Sequence, residues 1–476
     1  MEEQNKILSL SESITKKQLI WFLVSVAVYV LIRILPIPGI EPMAQRALAI
    51  LGWIIVVLLT NCLPVMLTNL IFAALIILTG VMPQVEFLQA FGTSPFFIVL
   101  ALGAVGMGMT RTKFGPRLAY ILIKYIGKTP RLLVLAIMIV GFIIVALIVN
   151  IPALLAICPV ILAILKELGE KPGESNLGKA LFLGLVWSGA GGGLAFISSS
   201  ATAAAAAAAI EEASGGIAAV SYAQWAKFGV PIGLLMVIPA WIFLCAWFKI
   251  GNEKLDMSMI DDKLKSLGKM DAAEIRYILI LVAMIAFFWV GSNFGINPPT
   301  VGLIFMAIML LPKIGLITFD EVVNNTNWAM CFQMAFFMAF ASGISKTGLG
   351  TWMANLFFGG LDTNNLFVLF LITILIAHVG NIIVPGAGAA VMLIPSIWAI
   401  SQGAGYSFAF LPMVMFHTVN WTQLQPIQPQ YLVVSANSGG YLNIKDFAVP
   451  NVIVTIIWTI IFIPAAWFIG GWAGLM

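Results

Sequence analysis

The chain has 476 residues, of which 61% are apolar or aromatic and only 9% are Asp, Glu, Lys or Arg. A soluble domain carries about 25% charged residues, so this composition cannot build a water-facing surface and excludes a soluble protein. The formal net charge of +4 is too small and too dispersed to indicate nucleic acid as a partner. The four cysteines lie apart in apolar runs without a CxxC motif, which indicates packing residues.

Apolar runs along the chain approach or exceed the roughly 20 residues that a helix needs to cross a bilayer. The predicted spans are Leu19–Leu35, Ala47–Cys62, Pro64–Met82, Phe96–Met109, Ala180–Ala209, Phe228–Phe248, Tyr277–Phe294, Thr300–Leu311, Trp328–Ile344, Leu411–Val434 and Val449–Trp472. Two more apolar stretches, Leu132–Leu165 and Leu366–Ile400, are interrupted near their middles. Because a lipid-exposed backbone must satisfy its own hydrogen bonds, the predicted fold class is an all-α polytopic membrane protein.

Positive charge sets the expected topology. Lys and Arg cluster at residues 16–17, 111–131 and 249–276, and the positive-inside rule places all three clusters in the cytoplasm. Counting crossings then gives eleven transmembrane spans and makes each interrupted stretch a re-entrant helical hairpin, the first entering from inside and the second from outside. The polar start, residues 1–18, predicts no cleavable signal peptide and a cytoplasmic N-terminus, as in a bacterial inner membrane protein. Met257–Leu267 predicts a short amphipathic helix on the inner membrane face.

The sequence repeats itself in its second half. The segments that start at Arg111 and Lys346 resemble each other and lie 235 residues apart, and Pro159 and Pro395 lie 236 apart. Thr68–Ala73 similarly resembles Thr300–Phe305. By the crossing count the halves have opposite orientations, so they are predicted to be two inverted repeats. Inverted repeats with broken helices are typical of secondary transporters, whose site lies near the midplane; the alternative is an old duplication without a transport role.

Four predicted helix breaks within apolar segments mark the expected site. They are Val149–Pro152, Gly191–Thr202, Gly380–Gly388 and Gln425–Gln430. Exposed backbone at such depth is tolerated only inside protein or along a cavity, and helix N-termini there suit an anion. The alternative is that the glycines permit close helix packing. The candidate substrate-binding residues are Asn150, Ser198, Ser199, Ser200, Thr202, Asn381, Gln428 and Gln430, with Asn150, Gly192 and Gly193 as candidate Na⁺ contacts.

Charged residues avoid the predicted spans. All twenty acidic residues lie in predicted loops or at span ends, which disfavours proton coupling through a carboxylate. The two histidines, His378 and His417, lie in apolar segments near the breaks and either relay protons, meet an anionic substrate or are neutral packing residues. With no HExxH motif and no acid dyad within the spans, an enzyme is not expected.

These features resemble the divalent anion:sodium symporter family, which carries dicarboxylates, citrate or sulfate. The resemblance covers nearly the whole chain and rests on Pro36–Gly39, Leu63-Pro64, Arg111-Thr112, the hairpin from Asn150 to Pro159, Gly192-Gly193 and Gly440–Phe447. The family has Ser-Asn-Thr at each hairpin tip, where this chain has Val149-Asn150-Ile151 and Pro385-Gly386-Ala387. The resemblance therefore adds Ile151, Gly386 and Ala387 to the candidate substrate contacts.

The resemblance also implies a homodimer in which a transport domain moves against a fixed scaffold, an elevator motion. On that basis the chain divides into first-repeat scaffold spans (1–131), first-repeat transport elements with hairpin and broken helix (132–226), the sixth span with the cytoplasmic amphipathic loop (227–276), second-repeat scaffold spans (277–363), second-repeat transport elements (364–440) and the last span (441–476).

The predicted function is secondary active transport of a small organic anion, most simply a di- or tricarboxylate. The motor is either Na⁺ coupling or exchange of anions, and no cofactor other than Na⁺ is expected. The expected partners are the organic anion, membrane lipid and a second copy of the chain. A sulfate or sulfonate transporter of the same fold is the first alternative, and a membrane-embedded enzyme, receptor or scaffold is a remote one.

Overall fold

The computed structural model describes residues 15–60, 62–89, 92, 94–147, 150–291, 294, 296–350, 352, 365–383, 388–424 and 428–476. Its α-helices are α1 Lys16–Ile34, α2 Pro42–Thr60, α3 Val65–Leu78, α4 Gln84–Gln89, α5 Ser94–Thr110, α6 Phe114–Ile126, α7 Pro130–Leu147, α8 Asn150–Glu167, α9 Asn176–Ala195, α10 Ala201–Ala213, α11 Tyr222–Trp247, α12 Ser258–Ser266, α13 Ala272–Gly291, α14 Pro298–Leu310, α15 Phe319–Asn325, α16 Trp328–Thr347, α17 Leu366–Ile383, α18 Gly388–Gly403, α19 Phe410–Trp421, α20 Pro429–Ala436 and α21 Ile444–Trp472. No strand occurs among these described residues, so the all-α prediction is confirmed.

Several of these helices are long and apolar enough to cross a membrane. Within the described residues six qualify alone, namely α1, α7, α9, α11, α13 and α21, and α5 with α6 forms a pair bent by 67° that counts as a seventh. Shorter apolar helices, including α2, α3, α14, α16 and α17, supplement them. The chain is therefore a polytopic membrane protein, while the number of eleven spans stays a prediction.

Both interrupted stretches consist of two helices. Leu132–Leu165 falls on α7 and α8, and Leu366–Ile400 falls on α17 and α18. In each case the two helices pack against each other, as the arms of a hairpin do. The tip residues 148–149 and 384–387 lie outside the described residues, and the re-entry of each hairpin into the membrane stays a prediction.

The helix order recurs along the chain. The helices α2, α3, α4, α5, α7 and α8 have counterparts α13 to α18 that begin 230 to 238 residues later. Contacts between the halves are reciprocal: α5 packs on α14 as α16 packs on α3, and α8 packs on α20 as α10 packs on α18. Such exchange of roles is what a two-fold relation produces.

Two ion pairs follow the same relation. Arg111, at the end of α5, pairs with Glu321 of α15, and Lys346, at the end of α16, pairs with Glu86 of α4. Both partners of the second pair lie 235 residues from their counterparts in the first. Each half therefore supplies the cation of one pair and the carboxylate of the other.

A buried ion pair fixes α6, the helix after the bend, to α13. The Nε and Nη2 atoms of Arg117 lie 2.6 and 3.0 Å from the two carboxylate oxygens of Glu274, and Nη1 donates to the Gly268 carbonyl. Glu274 is in the first turn of α13, at the span end that the sequence predicts, yet it is completely buried. The helix predicted over Met257–Leu267 is present as α12, which packs against α6.

Candidate functional site

The first broken helix is interrupted later than the glycines predicted. The helix α9 continues through Gly191–Gly193 to Ala195, and the break consists of Phe196, a 3₁₀ turn Ile197–Ser199 and Ser200. The glycines stay helical because they are contact points: a Cβ on Gly192 would lie 2.5 Å from the Phe142 carbonyl oxygen of α7. The interpretation of these glycines as part of the break is therefore wrong, and the close-packing alternative holds for them.

The helix α11 supports the end of α9 in the same way. Gly229 and Gly233 form a GxxxG pattern, and a Cβ on Gly229 would overlap the Leu194 carbonyl oxygen. The indole Nε1 of Trp225, one turn earlier, donates to that same carbonyl at 3.0 Å. Backbone contact and a side-chain donor thus hold the last turn of α9 where the break begins.

Serine hydroxyls organise the first break. The Oγ atom of Ser200 caps α10 by accepting from the Ala203 N–H at 3.0 Å, and it lies 3.2 Å from the Gly193 carbonyl and 3.0 Å from the Thr202 hydroxyl. Ser199 also reaches the Gly193 carbonyl, at 3.1 Å, and Ser198 is bonded to the Tyr222 hydroxyl at 2.8 Å. The structure therefore brings the four predicted hydroxyl residues together around the start of α10.

Amide side chains organise the second break, between α19 and α20. Gln428 is the N-cap residue of α20, and its Nε2 donates to the Thr422 carbonyl at 2.9 Å and lies 3.5 Å from Asn381 Oδ1. Asn381, near the end of α17, donates to the Val419 carbonyl, and Gln430 donates to Gln428. Asn381 and Gln428 are both buried. The three amides predicted from sequence thus form one connected group.

The remaining predicted contacts lie at the hairpin tips. Asn150 and Ile151 are the first two residues of α8, so they stand at a helix N-terminus as predicted. Gly386 and Ala387 lie outside the described residues.

A buried hydrogen-bond group that the sequence did not reveal ties α20 to the first half. Trp187 Nε1 of α9 donates to the Tyr431 hydroxyl at 2.9 Å and lies 3.0 Å from Asn451 Oδ1 of α21. The Tyr431 hydroxyl lies 3.1 Å from the same Asn451 oxygen. The start of α20 is therefore fixed to both α9 and α21.

The two histidines have different surroundings. His378 of α17 is half-buried beside the second break, between the hydroxyls of Thr422 and Thr459. His417 of α19 is fully buried, with Nδ1 2.8 Å from the Met413 carbonyl of its own helix and its ring against Phe228. His378 is thus close to the candidate site, whereas His417 fits the packing alternative.

A family model described as the sodium:sulfate symporter transmembrane region matches residues 16–475. The chain belongs to this family. The predicted resemblance to sodium-coupled divalent anion symporters is therefore confirmed, and the family contains transporters rather than enzymes, as expected from the sequence.

Curated relatives of this symporter-family chain extend along most of its length. It is 24% identical over 448 residues to the sodium-dependent dicarboxylate transporter SdcS of Staphylococcus saprophyticus, covering 89% of the chain and 85% of the relative. The SdcS protein of Staphylococcus aureus is 22% identical over 452 residues, with the same coverage. YflS of Bacillus subtilis, named as a candidate malate transporter, is 23% identical over 346 residues, which is 71% of the chain and 72% of the relative.

For a member of a symporter family, the breaks have a consistent chemistry. None of their described residues, 196–200, 422–424 and 428, carries a formal charge. Among all described residues, no group of three or more His, Cys, Asp or Glu could hold a metal ion. The donors are hydroxyls, amides and the N-termini of α10 and α20, which suit an anion that is bound without a fixed counter-charge.

Proposed function

We propose that this chain is a secondary active transporter of small organic anions, with di- or tricarboxylates as its substrates. The observation that carries the proposal is the pair of helix breaks, each followed by a helix whose N-cap residue, Ser200 or Gln428, belongs to a group of neutral polar side chains. The dicarboxylate and malate transport named for the relatives supports this substrate class.

The two breaks offer a division of labour for a substrate with two carboxylates. One carboxylate is bound by the serine and threonine hydroxyls at the start of α10, and the other by the amide groups of Asn381, Gln428 and Gln430 at the start of α20. Each helix adds the partial positive charge of its N-terminus. The hairpin helices α8 and α18 pack on α20 and α10, so each tip accompanies the break of the other half.

Na⁺ is the proposed coupling ion, and exchange of anions is the other motor compatible with this site. The relatives named as sodium-dependent support Na⁺. Asn150, Gly192 and Gly193 are the proposed contacts, and the Gly193 carbonyl would exchange a serine hydroxyl for the ion. Carbonyl and amide oxygens are suitable donors for Na⁺ because it is a hard cation.

The transport cycle is proposed to be an elevator motion in a homodimer of the inner membrane, with the N-terminus in the cytoplasm. The recurring helix bounds and the reciprocal contacts between halves support two inverted repeats. Under this proposal the transport elements are residues 132–226 and 364–440, which contain both hairpins and both breaks, and the scaffold spans lie within 1–131 and 277–363.

Reconstitution into liposomes tests the proposal directly. We expect labelled succinate to accumulate when Na⁺ is higher outside, or to enter in exchange for internal dicarboxylate. If neither an Na⁺ gradient nor internal dicarboxylate accelerates uptake above empty liposomes, the proposed function is wrong.

Two amide variants test the site. Asn381→Ala should raise the KM for the anion about tenfold, because a bond between an amide and a charged carboxylate contributes about 1.5 kcal/mol. Asn437→Ala is the matched control, since its amide also bonds a backbone carbonyl but lies at the opposite end of α20. Equal KM values for both variants would remove Asn381 from the binding site.

A sulfate or sulfonate transporter is the second candidate, favoured by the description of the matching family. Competition separates the two. Excess succinate or citrate should suppress uptake of labelled dicarboxylate, whereas sulfate and a small sulfonate should leave it unchanged. Suppression by sulfate alone would favour the second candidate.

A further inference from the structure

His378 makes two hydrogen bonds whose donors can be assigned. Its Nδ1 lies 2.8 Å from the Thr422 hydroxyl and its Nε2 lies 2.9 Å from the Thr459 hydroxyl. Both hydroxyls also bond a carbonyl of their own chain segment: Thr422 donates to Thr418 O at 2.6 Å and Thr459 donates to Thr455 O at 2.8 Å.

Each threonine hydroxyl has one proton to donate. Because a carbonyl can only accept, the protons of Thr422 and Thr459 are committed to the backbone, and both hydroxyl oxygens act as acceptors toward the imidazole. Both ring nitrogens of His378 must then be donors, which occurs only in the protonated imidazolium form. A neutral ring would have one nitrogen without a hydrogen and could keep only three of the four bonds.

The helix ends around His378 favour a positive charge. Thr422 is the C-cap residue of α19, and His378 lies five residues before the end of α17. The C-terminus of a helix carries partial negative charge and stabilises a nearby cation. Two helix C-termini and two oxygen acceptors thus surround the ring.

No other ionisable side chain shares this environment. The helices packed on α17 are α18 and α19, and Thr459 comes from α21. Of these, α18 has no ionisable residue, and the ring of His417 on α19 faces Trp225 and Phe228. On α21, Lys445 and Asp446 lie in the first turn, more than three turns before Thr459, and Asp446 is paired with Lys179.

We propose that His378 is a proton-binding site and that its proton is a coupling ion of anion transport. The second half of the proposal rests on the proposed function. The ring lies one turn from Asn381, and Thr422, which it binds, accepts from Gln428 through its carbonyl. Protonation therefore places a positive charge beside the second break, so the anion and the proton each increase the affinity for the other.

A titration tests the proton site without any transport. The full-length protein in lipid nanodiscs, labelled with ¹⁵N-histidine, has only two imidazoles, and loss of one signal in His378→Gln assigns them. We expect the His378 ring to be doubly protonated at about pH 5 and to lose its proton at higher pH. A ring that stays neutral down to that pH would overturn the proposal.

Two threonine variants test the hydrogen-bond argument. Thr459→Val removes one acceptor and should lower the proton affinity of His378 about tenfold. Thr373→Val is the matched control, because Thr373 also lies on α17 and bonds only a backbone carbonyl of its own helix. Equal titration of His378 in both variants would contradict the assignment of donors. Thr459→Val retains the ring, so it serves as the test if His378→Gln does not fold.

Uptake into liposomes tests the coupling. With the membrane potential clamped at zero and Na⁺ equal on both sides, an interior one pH unit more alkaline should concentrate labelled succinate about tenfold for each coupled proton. His378→Gln should abolish this accumulation and Thr373→Val should retain it. Uptake driven by Na⁺ or exchange but indifferent to the pH gradient would overturn proton coupling. Absence of uptake under every gradient would instead contradict the proposed function, while the titration still decides the proton site.

Discussion

The buried pair of Arg117 and Glu274 allows a quantitative prediction. Glu274→Gln keeps the shape of the side chain but leaves the guanidinium, whose side chain is only 11% exposed, without its counter-charge. Removing one partner of a buried pair costs about 3–5 kcal/mol. Replacing both partners by apolar residues, Arg117→Met with Glu274→Leu, should cost far less, because no uncompensated charge remains.

Equilibrium unfolding in mixed micelles of increasing dodecyl sulfate, followed by tryptophan fluorescence, measures these differences. Lys124 and Asp261 provide the control, since their side chains are 43% and 41% exposed at a distance of 2.6 Å. Asp261→Asn should therefore cost less than about 1 kcal/mol. If Glu274→Gln is as mild as Asp261→Asn, or if the double variant is as unstable as Glu274→Gln, the reasoning about burial is wrong.

Three further predictions concern local structure. Ser200→Ala removes the cap of α10 and should cost about 1 kcal/mol, measured as faster amide exchange in its first turn, with Ser200→Asn restoring protection. Gly229→Ala should lower thermal stability by about 1–3 kcal/mol because its Cβ would overlap backbone, whereas Gly471→Ala, with no atom within 4 Å, should not. The pKa of Asp256 is lowered from 3.8 by bonds from the Ser258 backbone N–H and hydroxyl. This contribution is present above that value and is lost as the pH falls through the lower folded pKa, so amide exchange at the start of α12 should accelerate there, but not in Asp256→Ala.

The sequence predicted the features that depend on local composition. Apolar runs located the helices, and the prolines and polar residues of the second break located the group formed by Asn381, Gln428 and Gln430. These succeed because the length of an apolar run and the backbone restriction imposed by proline act within one segment.

The features that the sequence missed depend on distant partners. Gly192 weakens a helix by itself, but the carbonyl of Phe142 that approaches it comes from another helix, so the packing role was not visible. Arg117 and Glu274 are 157 residues apart, and the partners of His378 come from two other segments. A weak signal did exist, because Thr455 and Thr459 are one helical turn apart within an apolar run.

The two ion pairs between the halves bear on the origin of the protein. Arg111 with Glu321 and Lys346 with Glu86 are one contact made twice, with the cation and the carboxylate supplied by opposite halves. Two separate copies of a half-length chain would make this contact twice across a symmetric interface. The ancestor before gene fusion would then have been a small membrane protein that associated with itself, and these pairs preserve its subunit interface inside a single polypeptide.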